Sequence, residues 1–227
     1  MSHPTIAVTG ALLAVLALPA AANAAQLDQP LAPCYATTLD NTGSPIGEAF
    51  TLPASGFTPN SAVDIAVDGT VVDPGVLTDA NGALPGTTQY AAPYVPTGQR
   101  TFTVTVTEQG NPANVVTATA KTTALGVSVK PQQAKPSTKV RWKGRGFTAS
   151  NGPIYAHYVY KGKSRKTVRM AVKPGLCGTF SKKSPQIPVA SPGLGTWTVQ
   201  FDQNKKFKTD DIGTYVRLQI RIFRKFG

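Results

Sequence analysis

The chain has 227 residues, a formal net charge of +12 and a hydrophobic fraction of 41%. This length fits one large domain or two small ones, and the apolar, regularly alternating sequence excludes intrinsic disorder. Nineteen prolines and 21 glycines interrupt any long helical window. Together with many threonines and valines, they favour short β-strands joined by turns.

The first 24 residues predict a cleavable secretion signal, although no lysine or arginine precedes its apolar run. The run covers residues 5–18 and ends at Pro19, and Ala22 and Ala24 supply the small side chains that a signal peptidase accepts. It is shorter than the ~20 apolar residues that span a bilayer, and no later segment is longer. We therefore expect no transmembrane segment and a secreted, extracellular protein, either free or associated with the cell surface.

Two short stretches, "GFTP" starting at Gly56 and "GFTA" starting at Gly146, mark an internal repeat. The flanking segments align in the same order: residues 48–58 with 138–148, 93–99 with 185–195, 100–106 with 195–201, and 114–122 with 214–223. Such ordered agreement is hard to obtain by chance. We interpret the chain as a signal, 1–24, followed by two copies of one domain, 25–124 and 125–227.

Apolar residues in both copies recur at every second position, which is typical of strands with one buried face. Phe102 and Val104 in the first copy, for example, align with Trp197 and Val199 in the second. Short strands separated by frequent turn signals predict β-sandwiches. The expected fold is all-β, with two tandem sandwich domains and little free linker in residues 124–136.

The entry strand with its "GF" turn and the later "GTWTVQFD" strand resemble bacterial immunoglobulin-like (Ig-like) domains of secreted and cell-surface proteins. In the second copy, "PIYAHYVYKGKSRKTVRM", "GLCGTF" and "GTWTVQFD" together look like uncharacterised two-domain exported proteins of high-GC Gram-positive bacteria. The resemblance covers nearly the whole chain after the signal and implies two tandem Ig-like domains. It implies little about function, because Ig-like domains serve adhesion, spacing, ligand binding and chaperone roles.

The two cysteines, Cys34 and Cys177, fall one in each copy at non-equivalent positions. Export permits a disulfide between them, but a linear arrangement of two domains does not guarantee the ~4.4–6.8 Å Cα separation that the bond requires. An interdomain disulfide, intermolecular pairing and buried free thiols all remain open. The two residues are too few for a metal site of their own, and no cofactor is expected.

The sequence indicates no catalytic centre, and we expect a protein that is not an enzyme. His157 is the only histidine after the signal, and strand alternation predicts that it faces solvent while Ala156, Tyr158 and Tyr160 face the core. No nucleophile elbow accompanies it. Gly162-Lys163-Ser164 matches the end of a phosphate-binding loop, but the leading glycine is missing and the context is strand–turn–strand.

Charge is divided unequally between the two copies. Residues 25–124 hold two cationic and eight acidic side chains, a net charge of −6, whereas residues 125–227 hold 21 lysines and arginines and three aspartates, a net charge of +18. Solubility alone usually involves a net charge of ~2–8 on a small domain. A charge of +18 also costs stability through self-repulsion, so it favours a polyanionic partner.

The cations of the second copy alternate with apolar residues, so they are expected to face solvent when their neighbours face the core. In "TKVRWKGR", for example, the cations alternate with Val140 and Trp142. Further cations at 182, 183, 205, 206 and 208 are expected in turns, together with those at 161–166. The candidate anion-binding residues are Lys139, Arg141, Lys143, Arg145, Lys161, Lys163, Arg165, Lys166, Arg169, Arg217 and Arg221.

These features predict a non-catalytic exported binding module. Its basic second domain would associate with an anionic polymer or surface: a cell-wall polymer, an acidic glycan, an anionic lipid surface or extracellular nucleic acid held without base reading. The alternative is a structural or adhesive protein-interaction module in which the charge serves solubility. In a further variant, the acidic domain of one molecule binds the basic domain of a neighbour, which gives head-to-tail self-association. The acidic domain could equally fold back onto the basic domain of its own chain and mask its charge.

Overall fold

The computed structural model describes residues 24–209 and 215–223, which form β-strands and loops with one short 3₁₀ helix, Leu176–Gly178. The predicted signal lies outside the described residues except for Ala24. Two separate hydrophobic cores are present, one built from residues between 25 and 120 and the other from residues between 125 and 222. The described chain is all-β, and the parts around the two cores are here called the first and the second domain.

The first domain has ten strands, several of them very short. They are β1 (Gln26–Leu27), β2 (Cys34–Leu39), β3 (Pro45–Gly47), β4 (Ala49–Phe50), β5 (Ala54–Ser55), β6 (Ala62–Val67), β7 (Thr70–Leu77), β8 (Tyr90–Ala91), β9 (Gln99–Glu108) and β10 (Asn111–Ala124). Six of them form one sheet in the order β3-β2-β10-β9-β6-β7, and the rest form the pairs β1-β5 and β4-β8. Because Pro53 interrupts the segment that contains β4 and β5, this layer consists of fragments.

Within its described residues, the second domain has seven strands in two sheets. The strands are β11 (Gly126–Lys130), β12 (Lys139–Arg145), β13 (Ile154–Tyr160), β14 (Lys163–Ala171), β15 (Phe180–Pro185), β16 (Gly195–Asp202) and β17 (Val216–Ile222). One sheet has the order β11-β12-β15 and the other β14-β13-β16-β17. The sheets pack face to face around one core, in which the rings of Trp142 and Phe201 lie 5.2 Å apart.

The same strand order recurs in the larger sheets of both domains. β7-β6-β9-β10 in the first domain corresponds to β14-β13-β16-β17 in the second. In each domain a first hairpin, β6–β7 or β13–β14, is followed by a strand of the other layer, β8 or β15. A second hairpin, β9–β10 or β16–β17, comes next, and its first strand pairs with the first strand of the first hairpin. The internal repeat of the sequence therefore appears as a repeat of topology.

The repeated Gly-Phe pairs occupy equivalent positions in the two domains. Gly56 and Gly146 have φ angles of +86° and +83°, a region that only glycine adopts without strain. The side chains of Phe57 and Phe147, which follow them, are buried in their respective cores. The turn thus directs an aromatic anchor inward at the end of each entry strand.

A second left-handed glycine packs against each Gly-Phe pair. The N–H of Phe57 donates to the carbonyl of Gly82 (3.1 Å), and that of Phe147 donates to the carbonyl of Gly178 (3.4 Å). A Cβ on either glycine would lie closer than 3.0 Å to the backbone of the phenylalanine. Because the two glycines follow their phenylalanines at different distances along the chain, sequence alignment did not pair them.

The domains meet without a free linker, since only Leu125 separates β10 from β11. The Leu125 N–H donates to the Thr37 carbonyl (2.8 Å), and Thr148 Oγ1 donates to Glu48 Oε2 (2.7 Å). Cys34 and Cys177 form a disulfide across the junction, with their Cα atoms 5.1 Å apart. The second domain is therefore attached to the first at several points that are distant in sequence.

Candidate anion-binding face

Strand β12 has one face in the core and one in solvent. Val140 and Trp142 are buried, with exposed fractions of 1% and 0%, while the alternating Lys139, Arg141 and Lys143 are exposed. The alternation prediction for this strand is confirmed. Its last cation differs: Arg145 is half-buried and donates from Nε to the Ala124 carbonyl (3.0 Å) at the domain junction.

The register of the three-stranded sheet adds two lysines that the candidate list did not include. Arg141 pairs with Lys130 on β11 and with Lys183 on β15, so three cations stand side by side across the sheet. In the next row, Lys143 pairs with Ser128 and Ser181. We call the outward surface of β11, β12 and β15 the basic face.

The signal for these additional lysines was present in the sequence but incomplete. In "GVSVK", Val127 and Val129 pack against the core, so Ser128 and Lys130 must point outward. Alternation alone did not show that this strand would pair with β12 in the register that aligns Lys130 with Arg141.

Several cations that were expected in turns lie in strands. Lys183 belongs to β15, and Arg165 and Lys166 belong to β14. Lys182, also on β15, is half-buried and donates from Nζ to the Arg169 carbonyl, across the gap between the two sheets. The turn prediction was wrong here because charged and hydroxyl residues at consecutive positions obscured the period-two pattern of these strands.

The remaining candidates lie on or near the edges of the other sheet. β14 and β17 are its outer strands, and they carry the exposed cations Lys163, Arg165, Lys166, Arg169, Arg217 and Arg221. Lys161 lies in the exposed turn before β14. Cations on edge strands have an ordinary structural purpose, because they discourage pairing with strands of other molecules.

Strand β12, by contrast, is a central strand, paired on both sides. Its cations therefore do not serve to protect an edge. At the end nearest the junction the face contains a depression of ≈ 380 Å³, lined by Ser128, Lys143 and Arg145 together with the core residues Val127 and Phe180. The small residues beside β12 leave its long cationic side chains accessible.

Within the described residues, no carboxylate pairs with a cation of the basic face. The ion pair found there joins Arg100 to Asp68 (2.6 Å) in the first domain, and the other contact between a carboxylate and a basic side chain is that of buried His157 with Asp202 (3.3 Å). The positive charge of the face is therefore left uncompensated by the part of the chain that the structure describes. It is available to an external anion.

The carboxylates of the first domain are largely engaged in local structure. Glu108, only 2% exposed, accepts hydrogen bonds from the Thr58 N–H, Ser61 and Asn114. Hydrogen bonds from Thr58 and Asn114 in particular hold the pKa of Glu108 below its ordinary value. A carboxylate enclosed in this way supports the fold of its own domain.

Two turn aspartates of the first domain are used similarly. Asp40 accepts from the hydroxyl of Thr42 and the N–H of Ser44, and Asp79 accepts from the N–H groups of Ala83 and Asn81. These bonds lower the pKa of both aspartates. The acidity of this domain thus reflects turn and loop chemistry.

The prediction that His157 faces solvent was wrong, since the side chain is fully buried. Its Nε2 lies 3.3 Å from Asp202 Oδ1 and 3.0 Å from the Asn204 carbonyl, and its Nδ1 lies 2.9 Å from Thr167 Oγ1. Two acceptors at Nε2 imply that this nitrogen carries the proton and that Nδ1 accepts from Thr167. The segment 203–209 covers this outward face of β13, and the ring of Phe207 lies 5.8 Å from the imidazole.

A buried polar network extends from this histidine along the sheet. Gln200 Nε2 donates to Asp202 Oδ2 (2.8 Å) and to the Lys208 carbonyl (3.0 Å), while Arg217 Nε donates to Gln200 Oε1 (2.8 Å). Burial raises the pKa of Asp202, but hydrogen bonds from His157, Gln200 and the Asn204 N–H outweigh this, so the pKa lies below its ordinary value. The network attaches the segment 203–209 to the sheet.

Across residues 24–209 and 215–223, no three histidine, cysteine, aspartate or glutamate side chains converge on a point where a metal ion would sit. Over the same ranges, no helix has the length and apolar character needed to cross a membrane.

No protein-family model and no curated protein sequence matches the chain. The chain is similar to a crystal structure of a tetra-tandem repeat in the extending region of a large adhesion protein, with 18% identity and a TM-score of 0.27. The match covers 81% of this chain and 53% of that one, so the chain spans about half the length of that structure. At this TM-score the likeness defines neither fold nor function.

Proposed function

We propose that this chain is a non-catalytic, exported binding module whose basic second domain associates with an anionic polymer or surface. The strand orders β11-β12-β15 and β14-β13-β16-β17 support an Ig-like sandwich for this domain, since they divide seven strands between two sheets as Ig-like folds do. The first domain acts as a spacer that is fixed to the second by the disulfide and the short junction.

The observation that carries this proposal is the row of exposed cations on a central strand. Lys139, Arg141 and Lys143 are exposed on β12, no described carboxylate compensates them, and they are not needed to protect a sheet edge. Maintaining this charge costs free energy through mutual repulsion. A polyanion offsets that repulsion and releases its own counterions on binding.

Self-association of acidic and basic domains is less well supported. No ion pair joins the two domains among the described residues, and much of the acidic charge serves local turns and loops. A protein-interaction module whose charge serves only solubility remains the competing hypothesis. It predicts no retention on anionic polymers at physiological salt.

The test is retention of the disulfide-bonded chain, lacking residues 1–24, on immobilised poly(glycerol phosphate), hyaluronate and single-stranded oligo(dT), with neutral dextran as the control. We expect retention on anionic supports only, with elution at rising salt. For about four charge contacts, the logarithm of the association constant should fall against the logarithm of salt concentration with a slope of about −3. Equal retention on dextran, or none on any anionic support at physiological salt, would exclude the proposed function.

A further inference from the structure

We propose that the basic face binds a linear phosphodiester polymer without bases, which lies along β12. This inference rests on the proposed function and assigns it to one surface and one class of ligand. More than half of the candidate anion-binding residues lie on the edge strands β14 and β17. In this proposal they contribute only to the long-range electrostatic potential of the domain.

The first step is the spacing of charge along the strand. Lys139, Arg141 and Lys143 occupy alternate exposed positions of β12, so successive side chains are ~6.7 Å apart and the row extends for ~13 Å. Arg145 continues the alternation but is half-buried, with its Nε bonded to the Ala124 carbonyl. Such a ladder suits a flexible chain that carries one negative charge per repeat. A compact anion would meet only one or two of these cations.

The second step is the pairing across the sheet. The row formed by Lys130, Arg141 and Lys183 places cations on three strands that are ~4.8 Å apart. The row formed by Ser128, Lys143 and Ser181 places a hydroxyl on each side of an ammonium group. Arginine, lysine and hydroxyl donors together match the acceptor oxygens of a phosphodiester.

The third step concerns what the face lacks. The outward positions of β11, β12 and β15 hold glycine, serine, lysine, arginine and one proline, with no aromatic side chain. Proteins that hold single-stranded nucleic acid combine a basic groove with aromatic platforms on which bases stack. Phe180, which lines the depression, is only 8% exposed and so offers no open ring for stacking. The face therefore favours a polyol phosphate chain over a nucleic acid.

The fourth step is the comparison with the first domain. At the aligned positions of that domain, the outward residues are Ala49, Thr51, Pro53 and Ser55. They carry no charge, and the equivalent layer is broken into short strands. The charged ladder is therefore not a requirement of the repeated fold, and it distinguishes the second copy from the first.

The experiment compares two triple variants of the full disulfide-bonded chain with equal loss of charge. The face variant is Arg141→Thr, Lys143→Thr and Lys183→Thr, and the edge variant is Lys163→Thr, Arg165→Thr and Lys166→Thr. All six residues are exposed on strands, where threonine is well tolerated. Thermal unfolding of both variants within a few degrees of the parent verifies that each is folded.

Binding to poly(glycerol phosphate) is then measured across a salt series. We expect the face variant to bind about tenfold more weakly or worse, with its salt slope reduced by about 2, and the edge variant to stay within about twofold of the parent. Equal losses in both variants would overturn the assignment to the basic face while leaving the proposed function intact. Failure of the parent to bind any polyanion would instead remove the proposed function.

Oligo(dT) of matched charge serves as the competing ligand. We expect it to bind more weakly than poly(glycerol phosphate) at equal salt, because the face offers no stacking surface. Tighter binding of oligo(dT) would overturn the ligand class and identify the face as a site for single-stranded nucleic acid.

Discussion

Replacement of Gly178 by alanine should destabilise the second domain by about 3–5 kcal/mol, and urea unfolding measures this loss. Gly178 has a φ angle of +63°, so any side chain incurs left-handed strain. The added Cβ would also lie closer than 3.0 Å to three backbone atoms of Phe147. Backbone cannot rotate away as a flexible side chain can, so the Gly-Phe anchor would have to move out of its core position.

Gly162→Ala is the matched control for this prediction. Gly162 has a similar φ angle of +72°, but nothing lies within 4 Å of its would-be Cβ. Its substitution should cost only the conformational strain of about 1–2 kcal/mol. Equal losses at the two positions would show that the close approach of Gly178 to Phe147 does not hold the domain together. Gly82→Ala should reproduce the large effect in the first domain, through Phe57.

Replacement of His157 by alanine should cost about 3–5 kcal/mol of stability, because it leaves a buried carboxylate without its principal partner. Asp202, fully buried, would keep only Gln200 and the Asn204 N–H as donors, and Thr167 would lose its acceptor. Segment 203–209 should also become more mobile, which amide hydrogen exchange measures. A loss of under 1 kcal/mol with unchanged exchange would contradict the role given to the network.

Asp202→Asn gives a matched test through its pH dependence. Because the folded pKa of Asp202 lies below its ordinary value, the stability that this carboxylate contributes is present above pH ~4 and is lost as the pH falls through the folded pKa. The parent should therefore lose stability on acidification more steeply than the variant, which has no such carboxyl group. Parallel stability profiles between pH 2 and 6 would show that the ionised form of Asp202 does not stabilise the fold.

The sequence predicted which side of a strand each residue lies on better than it predicted which segments pack over that side. Alternation correctly placed Val140 and Trp142 in the core and the neighbouring cations in solvent. The same reasoning failed for His157, because alternation tells which side of a sheet a residue occupies but not whether a later segment covers that side. Residues 203–209 cover His157, and their sequence has no periodic pattern from which this packing could be predicted.

Strand pairing was the other part that the sequence left open. Lys130 and Lys183 reach the basic face only through the registers of β11 and β15 with β12. The distinction between a central strand and an edge strand likewise depends on topology. Composition indicated that the second domain is strongly basic. Strand order showed that the cations of β12 lie on a central strand, whereas the other cations of both sheets lie on edge strands.

Lysine acetylation read by mass spectrometry tests the central claim most directly. The full chain is labelled with and without poly(glycerol phosphate) at low salt, and the reactivity of each lysine is compared. We predict protection of Lys130, Lys139, Lys143 and Lys183 on the basic face, and unchanged reactivity at Lys163 and Lys166 on β14. Uniform protection of all lysines, or protection confined to β14, would contradict the claim that this face is the binding surface.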